Sequence, residues 1–392
     1  MLNNQYTIKD LNFWKITVGL ALASFIIFSF LYAFQPLLPF FTIHYNISIT
    51  LSSFSMSSTI IGLVTGLFTL GLYSDRHGRT AIILFSLIGA IIPFLLIPLT
   101  HSFNLLLILR FIQGFAIAGL PAAAIAYISE EIEQESAKIA IAFYISSNAL
   151  GGMIGRVFSG YVTENYSFQA AIYSLSLFGG VITLLIFLIL PKSKYFIKSN
   201  VSINKDLKAF GMHLKNPTLI LLFGFGIILQ LSFTGVWTFI PFHLTNAPFN
   251  LTIETIAYLF LAYIFGVIGA PLSSTLANKF GLKKVKLVAV IMMVIGIIMT
   301  LSASVSVIIT GLCITCFGFF TAHSLTATSV SEVAMHHKGT ASSLYFSAYY
   351  IGVALGSSIL GPIYESYSWI VFILIISLIP LGYLLLLTKK VN

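Results

Sequence analysis

Charged side chains are scarce in this chain of 392 residues, because Asp, Glu, Lys and Arg together make up only 8% of it. Hydrophobic residues make up 58%, and the mean hydropathy is +1.00. An ordinary soluble domain carries about a quarter charged residues, so this composition excludes one. Apolar stretches of about 20 residues, enough to cross a hydrocarbon core, recur between short polar breaks. The sequence therefore predicts a protein of transmembrane helices.

Residues for enzyme chemistry are also missing. The two cysteines, Cys313 and Cys316, lie in one predicted helix among Ile and Phe residues, a context that favours packing over a zinc or redox site. The chain contains no phosphate-binding loop, no metal-ligand cluster and no nucleophile–base pair. We therefore expect neither an enzyme nor a bound cofactor.

Twelve membrane helices are predicted, and basic residues occupy alternate breaks between them. An even number of helices places both termini on the side of these basic breaks, here called the basic side, and the positive-inside rule makes that side cytoplasmic. The net charge of +9 then reflects topology in a cell (plasma or inner) membrane rather than binding to nucleic acid. The predicted spans are 15–41, 51–73, 80–99, 104–130, 138–163, 168–191, 218–243, 253–277, 286–302, 304–331, 339–363 and 368–388.

The chain contains an internal repeat with an offset near 200 residues. Tyr144, Gly155 and Glu164 recur as Tyr345, Gly356 and Glu365, each 201 positions later. Such repeats are typical of carriers in which two related bundles move about a central site. We predict an N-terminal six-helix bundle at 1–191, a cytoplasmic linker at 192–217 and a C-terminal six-helix bundle at 218–392. The lysine-rich linker is either an interfacial helix on anionic lipid or an unstructured tether.

Two motifs indicate a family. Gly71-x-x-x-Asp75-Arg76-x-Gly78-Arg79 resembles the helix 2–3 motif of the major facilitator superfamily, and Arg110-x-x-Gln113-Gly114 resembles its helix 4 motif. The resemblance implies an all-α fold of two pseudo-symmetric six-helix bundles and secondary active transport by alternating access. The helix 5 tract Asn148–Arg156 is most similar to small bacterial drug or sugar exporters. That likeness implies a monomer that exports a small molecule, with the proton gradient as the energy source.

The first motif implies a conformational gate on the basic side. Gly71 is expected to permit close approach and Gly78 a tight reversal. By resemblance, Asp75 faces the helix N-terminus near Gly339 and Thr340, where a carboxylate is favoured by about 0.3–2 kcal/mol. Arg79 is expected to hold Asp75 or an acid at the end of helix 4. The predicted gate residues are Gly71, Asp75, Arg76, Gly78, Arg79, Glu130 and Glu131. A weaker echo in the second half places Gly281 where Gly78 stands and Asn278 where Asp75 stands.

Polar residues within the predicted helices indicate a central substrate cavity. An arginine inside a membrane helix costs at least about 2.5 kcal/mol unless it is paired or hydrated, so Arg110 is expected to face the interior rather than snorkel outward. Aromatic and weakly polar residues of the second half suit ring-containing solutes, although plain packing explains several of them equally well. The predicted cavity residues are Gln35, Arg110, Gln113, Asn148, Arg156, Gln230, Thr234, Trp237, His323, Tyr345 and Tyr349.

Carboxylates are missing from the middle of every predicted helix, since all the Asp and Glu residues fall in loops or at helix ends. A cavity with arginines and without acids should prefer neutral, zwitterionic or anionic amphipathic solutes over cations. Glu130, Glu131 and His323 are the candidates for carrying a proton. The alternatives are an importer of an organic anion or nutrient on the same scaffold, and a membrane receptor or channel that does not pump.

Overall fold

A computed structural model describes residues 5–196, 198, 210–334, 336 and 338–390. Within these residues the chain forms twelve long helical segments in the order that the sequence predicts. They are α1 (Leu11–His44, with a short 3-10 turn at Gln35–Leu37), α2 (Ile49–His77), α3 (Arg79–Leu99), α4 (Phe103–Glu131), α5 (Gln134–Asn165), α6 (Phe168–Ile189), α7 (Pro217–Thr245), α8 (Ile253–Phe280), α9 (Leu282–Met299), α10 (Val305–Val333), α11 (Gly339–Ser366) and α12 (Trp369–Leu387).

Eleven of these helices are long and apolar enough to cross a membrane. The remaining one, α9, has 18 residues and differs by the three charged side chains near its start, Lys283, Lys284 and Lys286. Its position agrees with the predicted span 286–302. The prediction of an all-α membrane fold with twelve helices is confirmed.

Two predicted boundaries differ from the structure where polar residues extend a helix. The second predicted helix ends at residue 73, but α2 continues to His77, so Asp75 and Arg76 lie in its last turn rather than in a loop. The predicted helix 9 begins at residue 286, whereas α9 begins at Leu282. In both places the helix boundary lies at a glycine with positive φ, Gly78 after α2 and Gly281 before α9, and not at the change to polar residues.

The described residues form two compact units. Unit 1 takes those up to Leu37 and those between Ser58 and Asn200, and unit 2 takes Leu38–Ser57 together with those beyond Val201. The division at 191 and 217 stays a prediction, as does either form of the linker, because residues 197 and 199–209 lie outside the described residues. Segment Leu38–Ser57, which we placed in the N-terminal bundle, groups with unit 2.

The same helix pairing occurs within each unit. In unit 1, α1 packs along α5, and in unit 2, α7 packs along α11. A Cβ atom at Gly155 would lie 2.5 Å from the Cα atom of Ser29, and one at Gly356 would lie 2.6 Å from the backbone oxygen of Leu231. Only glycine permits backbones to approach this closely. The repeat seen in the sequence therefore corresponds to a repeated helix contact.

Candidate functional site

The turn between α2 and α3 is made by Gly78, whose φ is +106° and ψ is +151°. Residues with a Cβ atom rarely adopt this conformation, so the glycine permits the reversal that the sequence predicts. Arg79 follows as the first residue of α3 and is buried, with 7% of its surface exposed. The turn thus places the guanidinium of Arg79 at the ends of α2 and α4.

Arg79 holds two carboxylates at once. Its Nη1 donates to Asp75 and, at 3.2 Å, to the hydroxyl of Ser74. Its Nη2 and Nε donate to Oε1 of Glu130 at 2.7 and 3.1 Å, and its guanidinium lies 5.5 Å from the ring centre of Phe196. Charge-assisted bonds of this fork geometry are stronger than bonds between neutral groups. Both partners expected for Arg79 are present, and the ends of α2, α3 and α4 are tied together.

Glu131 has a different partner from the one we expected. It is fully buried, and its Oε1 accepts hydrogen bonds from the Ser193 hydroxyl at 2.7 Å and from the backbone N–H groups of Lys194 and Tyr195 at 2.6 and 2.9 Å. Adjacent helical residues point about 100° apart, so only one of the two glutamates can face Arg79. Of the two acids expected near Arg79, Glu130 binds it and Glu131 instead anchors the start of the linker, so a gate role for Glu131 stays a prediction.

Of two further expectations for the motif, the one for Gly71 needs correction and the one for the contact of Asp75 with α11 remains open. A Cβ atom at Gly71 would meet Ala122 at 3.9 Å, an ordinary contact, so Gly71 is not a point of close approach within unit 1. Arg76 donates from Nη1 to the backbone oxygen of Leu72 at 2.8 Å. The contact proposed between Asp75 and the start of α11 joins the two units and stays a prediction.

Arg110 lies inside unit 1 and not at its surface. The side chain is fully buried, donates to the backbone oxygens of Phe30 and Leu31 at 3.1 and 2.8 Å, and donates to Oε1 of Gln113 at 2.6 Å. Its guanidinium lies 4.5 Å from the ring centre of Phe34. Snorkelling to the membrane surface is excluded, but the group braces α1 and has no surface open to a solute in this conformation.

Arg156 binds the same stretch of α1 from the other side. Its Nε donates to Oε1 of Gln35 at 2.7 Å, its Nη1 donates to the backbone oxygen of Gly152 at 2.7 Å, and its guanidinium lies 4.0 Å from the ring centre of Tyr32. The residue is 2% exposed. Two guanidinium groups therefore meet residues 30–35 of α1 within one unit.

In unit 2, Gln230, Thr234 and Trp237 lie on one face of α7, as their spacing predicts. The Nε2 of Gln230 donates to the Thr234 hydroxyl at 2.8 Å, while its Oε1 is buried without a hydrogen-bond partner among the described residues. The indole Nε1 of Trp237 is also buried and has no hydrogen-bond partner among the described residues. Each such buried group costs about 1–3 kcal/mol.

His323, Tyr345 and Tyr349 form one aromatic cluster in unit 2. The hydroxyl oxygen of Tyr345 lies 2.9 Å from Nδ1 of His323 and 3.3 Å from its backbone oxygen. The imidazole stacks against Phe319 at 5.8 Å and 6°, and against Tyr345 at 5.4 Å and 20°, while the Tyr349 ring lies 4.7 Å away. These contacts fix the imidazole plane.

Eight of the eleven predicted cavity residues are buried, and Asn148, His323 and Tyr349 keep part of their surface exposed. Sequence reasoning missed the rings around these residues. Tyr32 and Phe34 lie against the arginines, Phe319 stacks on His323, and Phe233 stacks on Phe319. The spacing of Phe319 and His323 by four residues was a usable signal, because such residues are neighbours on a helix.

A family profile described as the Major Facilitator Superfamily matches residues 20–357. The chain belongs to the major facilitator superfamily. It is 32% identical over 378 residues to the MFS-type transporter YybF of Bacillus subtilis, covering 95% of this chain and 94% of that protein. It is 31% identical over 357 residues to the inner membrane transport protein YnfM of Escherichia coli, covering 91% and 86%.

Among solved structures, a crystal structure of the nucleoside transporter NupG superposes with a TM-score of 0.78 at 14% identity and covers 95% of this chain and 99% of that chain. At this identity the likeness concerns the fold alone. As a member of the major facilitator superfamily, the protein is a multi-pass membrane transporter and not an enzyme. The motif around Asp75 and Arg79 had indicated the same family.

Proposed function

We propose that this transporter exports small amphipathic organic compounds, neutral, zwitterionic or anionic, in exchange for protons. The observation that carries the proposal is the pair of buried guanidinium groups, Arg110 and Arg156, held against residues 30–35 of α1. No carboxylate occurs in the middle of a predicted helix. Neither guanidinium is open to a solute in this conformation, but their buried positive charge disfavours organic cations nearby and tolerates neutral or negatively charged solutes.

Alternating access needs a contact that biases two conformations without locking either of them. The Arg79 cluster suits this role because its guanidinium is buried whereas the side chains of its partners are partly exposed, Asp75 at 45% and Glu130 at 23%. Exposed carboxylates contribute modestly to stability, so the cluster can re-form with other partners at low cost. This supports a gate formed by Gly78, Asp75, Arg79 and Glu130.

Among the three candidates for proton transfer, His323 suits the role best. Glu130 is paired with Arg79, and Glu131 accepts three hydrogen bonds from the start of the linker. His323 keeps part of its surface exposed, and only Nδ1 is bonded to Tyr345. Imidazole is also the side chain whose ordinary pKa lies closest to neutral pH.

Proteoliposomes with an imposed pH gradient test the proposal. The solutes are 4-nitrobenzamide, 4-nitrobenzoate and (4-nitrophenyl)trimethylammonium, which share a ring and differ in charge. We expect the amide or the carboxylate to accumulate against its gradient, and the accumulation to collapse with a protonophore. Equal accumulation of the permanent cation would contradict the charge preference.

The same assay separates the alternatives. A channel only equilibrates the solute, and a receptor neither equilibrates nor accumulates it. An importer and an exporter differ in whole cells, where expression raises or lowers the internal solute level. Lower internal solute in cells that express the chain, reversed by the protonophore, supports export.

A further inference from the structure

Besides several hydroxyls, unit 2 has buried nitrogen and oxygen atoms that lack partners within the described part of the chain. The Oε1 of Gln230 and the Nε1 of Trp237 are such atoms, and the Nε2 of His323 lies outside the Tyr345 contact whichever tautomer is present. Unpartnered hydroxyls in the same helices can rotate toward carbonyl oxygens of their own helix. An amide oxygen on helix α7 has no such alternative, because it only accepts and the N–H groups of a helix interior are already bonded to carbonyl oxygens. The indole N–H is fixed in its ring and cannot rotate as a hydroxyl does. The Gln230 oxygen and the Trp237 N–H are therefore the groups that need a partner from outside the protein.

These atoms lie along one aromatic column. Phe233 of α7 stacks on Phe319 of α10 at 4.0 Å and 14°, which sets the two helices level with each other. The Tyr345 ring, whose hydroxyl contacts His323, would lie 2.7 Å from a Cβ atom at Gly226, one turn before Gln230 on α7. Gln230 and His323 therefore lie on the same side of the Phe233–Phe319 pair.

Trp237 lies at the other end of the column. It is one turn beyond Phe233, with the rings of Phe260 and Tyr263 at 4.8 and 4.9 Å. Gln230 and Trp237 are seven residues apart, which corresponds to about 10 Å along a helix axis. The column thus has an amide and an imidazole at one end, an indole N–H donor at the other, and aromatic faces between them.

From this arrangement we infer that unit 2, in a conformation that opens this buried column, binds an elongated aromatic solute without net charge, bearing polar groups about 10 Å apart. An amide or similar group satisfies Gln230 and His323, an oxygen acceptor meets the Trp237 N–H, and the rings of the solute stack on those of the column. Unit 2 contains no arginine, and its described acids Glu254, Glu332 and Glu365 lie near helix ends. Its buried lysine, Lys286, lies near the start of α9 and is bonded to Ser329, so these groups do not supply the column with a charge to balance a charged solute. The inference rests on the proposed transport function and narrows its solute class.

Isothermal titration of the purified full-length chain in detergent tests the inference. The probe is 4′-hydroxybiphenyl-4-carboxamide, and its saturated bicyclohexyl analogue is the matched control with the same polar groups. We expect the aromatic probe to bind at least about tenfold more tightly than the control, which is the contribution expected from ring stacking.

Three variants each replace one of the polar side chains with an apolar one. His323→Phe, Gln230→Leu and Trp237→Phe should each weaken binding of the aromatic probe by about tenfold, as loss of one hydrogen bond predicts. Thr310→Val, at an exposed position of α10, is the matched control and should leave binding unchanged. Melting temperatures of all four variants show whether a loss of binding reflects a loss of folding, and three separate substitutions keep the test open if one of them unfolds.

Equal affinity for the aromatic and saturated probes, or unchanged affinity in all three folded variants, would overturn the inference. Its failure is distinguishable from failure of the proposed function. Proton-driven accumulation without ring preference retains the function and rejects this site. Ring-selective binding without proton-driven accumulation retains the site and rejects the function.

Discussion

The turn after α2 and the turn after α8 have nearly the same backbone and different side chains. Gly78 has φ +106° and Gly281 has φ +89°, and each separates two membrane helices. Around the first turn, Arg79 binds Asp75 and Glu130. Around the second, Leu282 stands in place of Arg79 and Asn278 in place of Asp75. The reversal of the chain therefore needs only the glycine, and the ionic cluster of unit 1 must serve another purpose.

Unit 2 has a buried cation near its turn, but it contacts a neutral group. Lys286 is 5% exposed and donates from Nζ to the hydroxyl of Ser329 at 2.8 Å. A lysine on one hydroxyl lacks the two-carboxylate fork that Arg79 forms. The proposed gate accounts for this difference if the contact in unit 1 changes between conformations and the one in unit 2 only supports the fold. Five substitutions test this comparison, two of them as a pair.

Arg79→Leu makes the first turn resemble the second and should have the largest effect. It leaves two carboxylates without their cation, so we expect a loss of about 1–3 kcal/mol in stability and at least about a tenfold loss of turnover. Thermal denaturation in detergent measures the loss of stability, and flux in proteoliposomes measures the loss of turnover. Arg79→Lys is the control, because it keeps the charge and loses the fork. Full turnover in Arg79→Leu would mean that the cluster is not a gate.

Asp75→Asn should slow turnover by about tenfold while solute affinity changes little, because the acid lies in the gate and not in the binding column. Asn278→Asp, at the equivalent position of unit 2, is the matched control and should leave turnover unchanged. The measurements are solute affinity by titration and flux under a pH gradient. A drop in affinity equal to the drop in flux would place Asp75 at the solute site instead.

Gly78→Ala and Gly281→Ala should cost the same, about 1–2 kcal/mol each, because a Cβ atom added at either glycine would meet no described atom within 4 Å and only backbone strain remains. Melting temperatures compare the two variants directly. Clearly unequal losses would mean that the turns differ in more than their side chains.

Lys286→Met should have the smallest effect, about 0–1 kcal/mol, since the lost hydrogen bond to Ser329 is offset by removal of a buried charge. Turnover should remain within about twofold of the parent protein. A loss of flux as large as that in Arg79→Leu would show that both units carry a gate, and the contrast between the two turns would fail.

Much of the fold was predictable because its signals are local. Runs of apolar residues mark helices, a glycine marks each of the two reversals compared above, and the repeat at Tyr144 and Tyr345 marks the two halves. The family followed from the spacing of Asp75, Arg79, Arg110 and Gln113, which the profile match confirms.

Side-chain partners were less predictable, because they depend on how each helix is rotated against its neighbours. Glu130 and Glu131 are adjacent, yet one binds Arg79 and the other binds the start of the linker. The position of Arg110 inside a membrane helix predicted that its side chain faces inward. It did not predict the backbone oxygens of Phe30 and Leu31 as acceptors. The grouping of Leu38–Ser57 with unit 2 also depends on distant packing, which a repeat pattern does not encode.

The anchoring of Ser193, Lys194 and Tyr195 by Glu131 has a mechanical consequence. The polypeptide that leaves α6 is secured to the end of α4, one residue from the acid that binds Arg79. Tension applied through the linker would therefore reach α4 directly, beside the ionic cluster. A protein inserted immediately after Tyr195 would apply force to the contact between Glu131 and residues 193–195. A protein attached at the C-terminus would not.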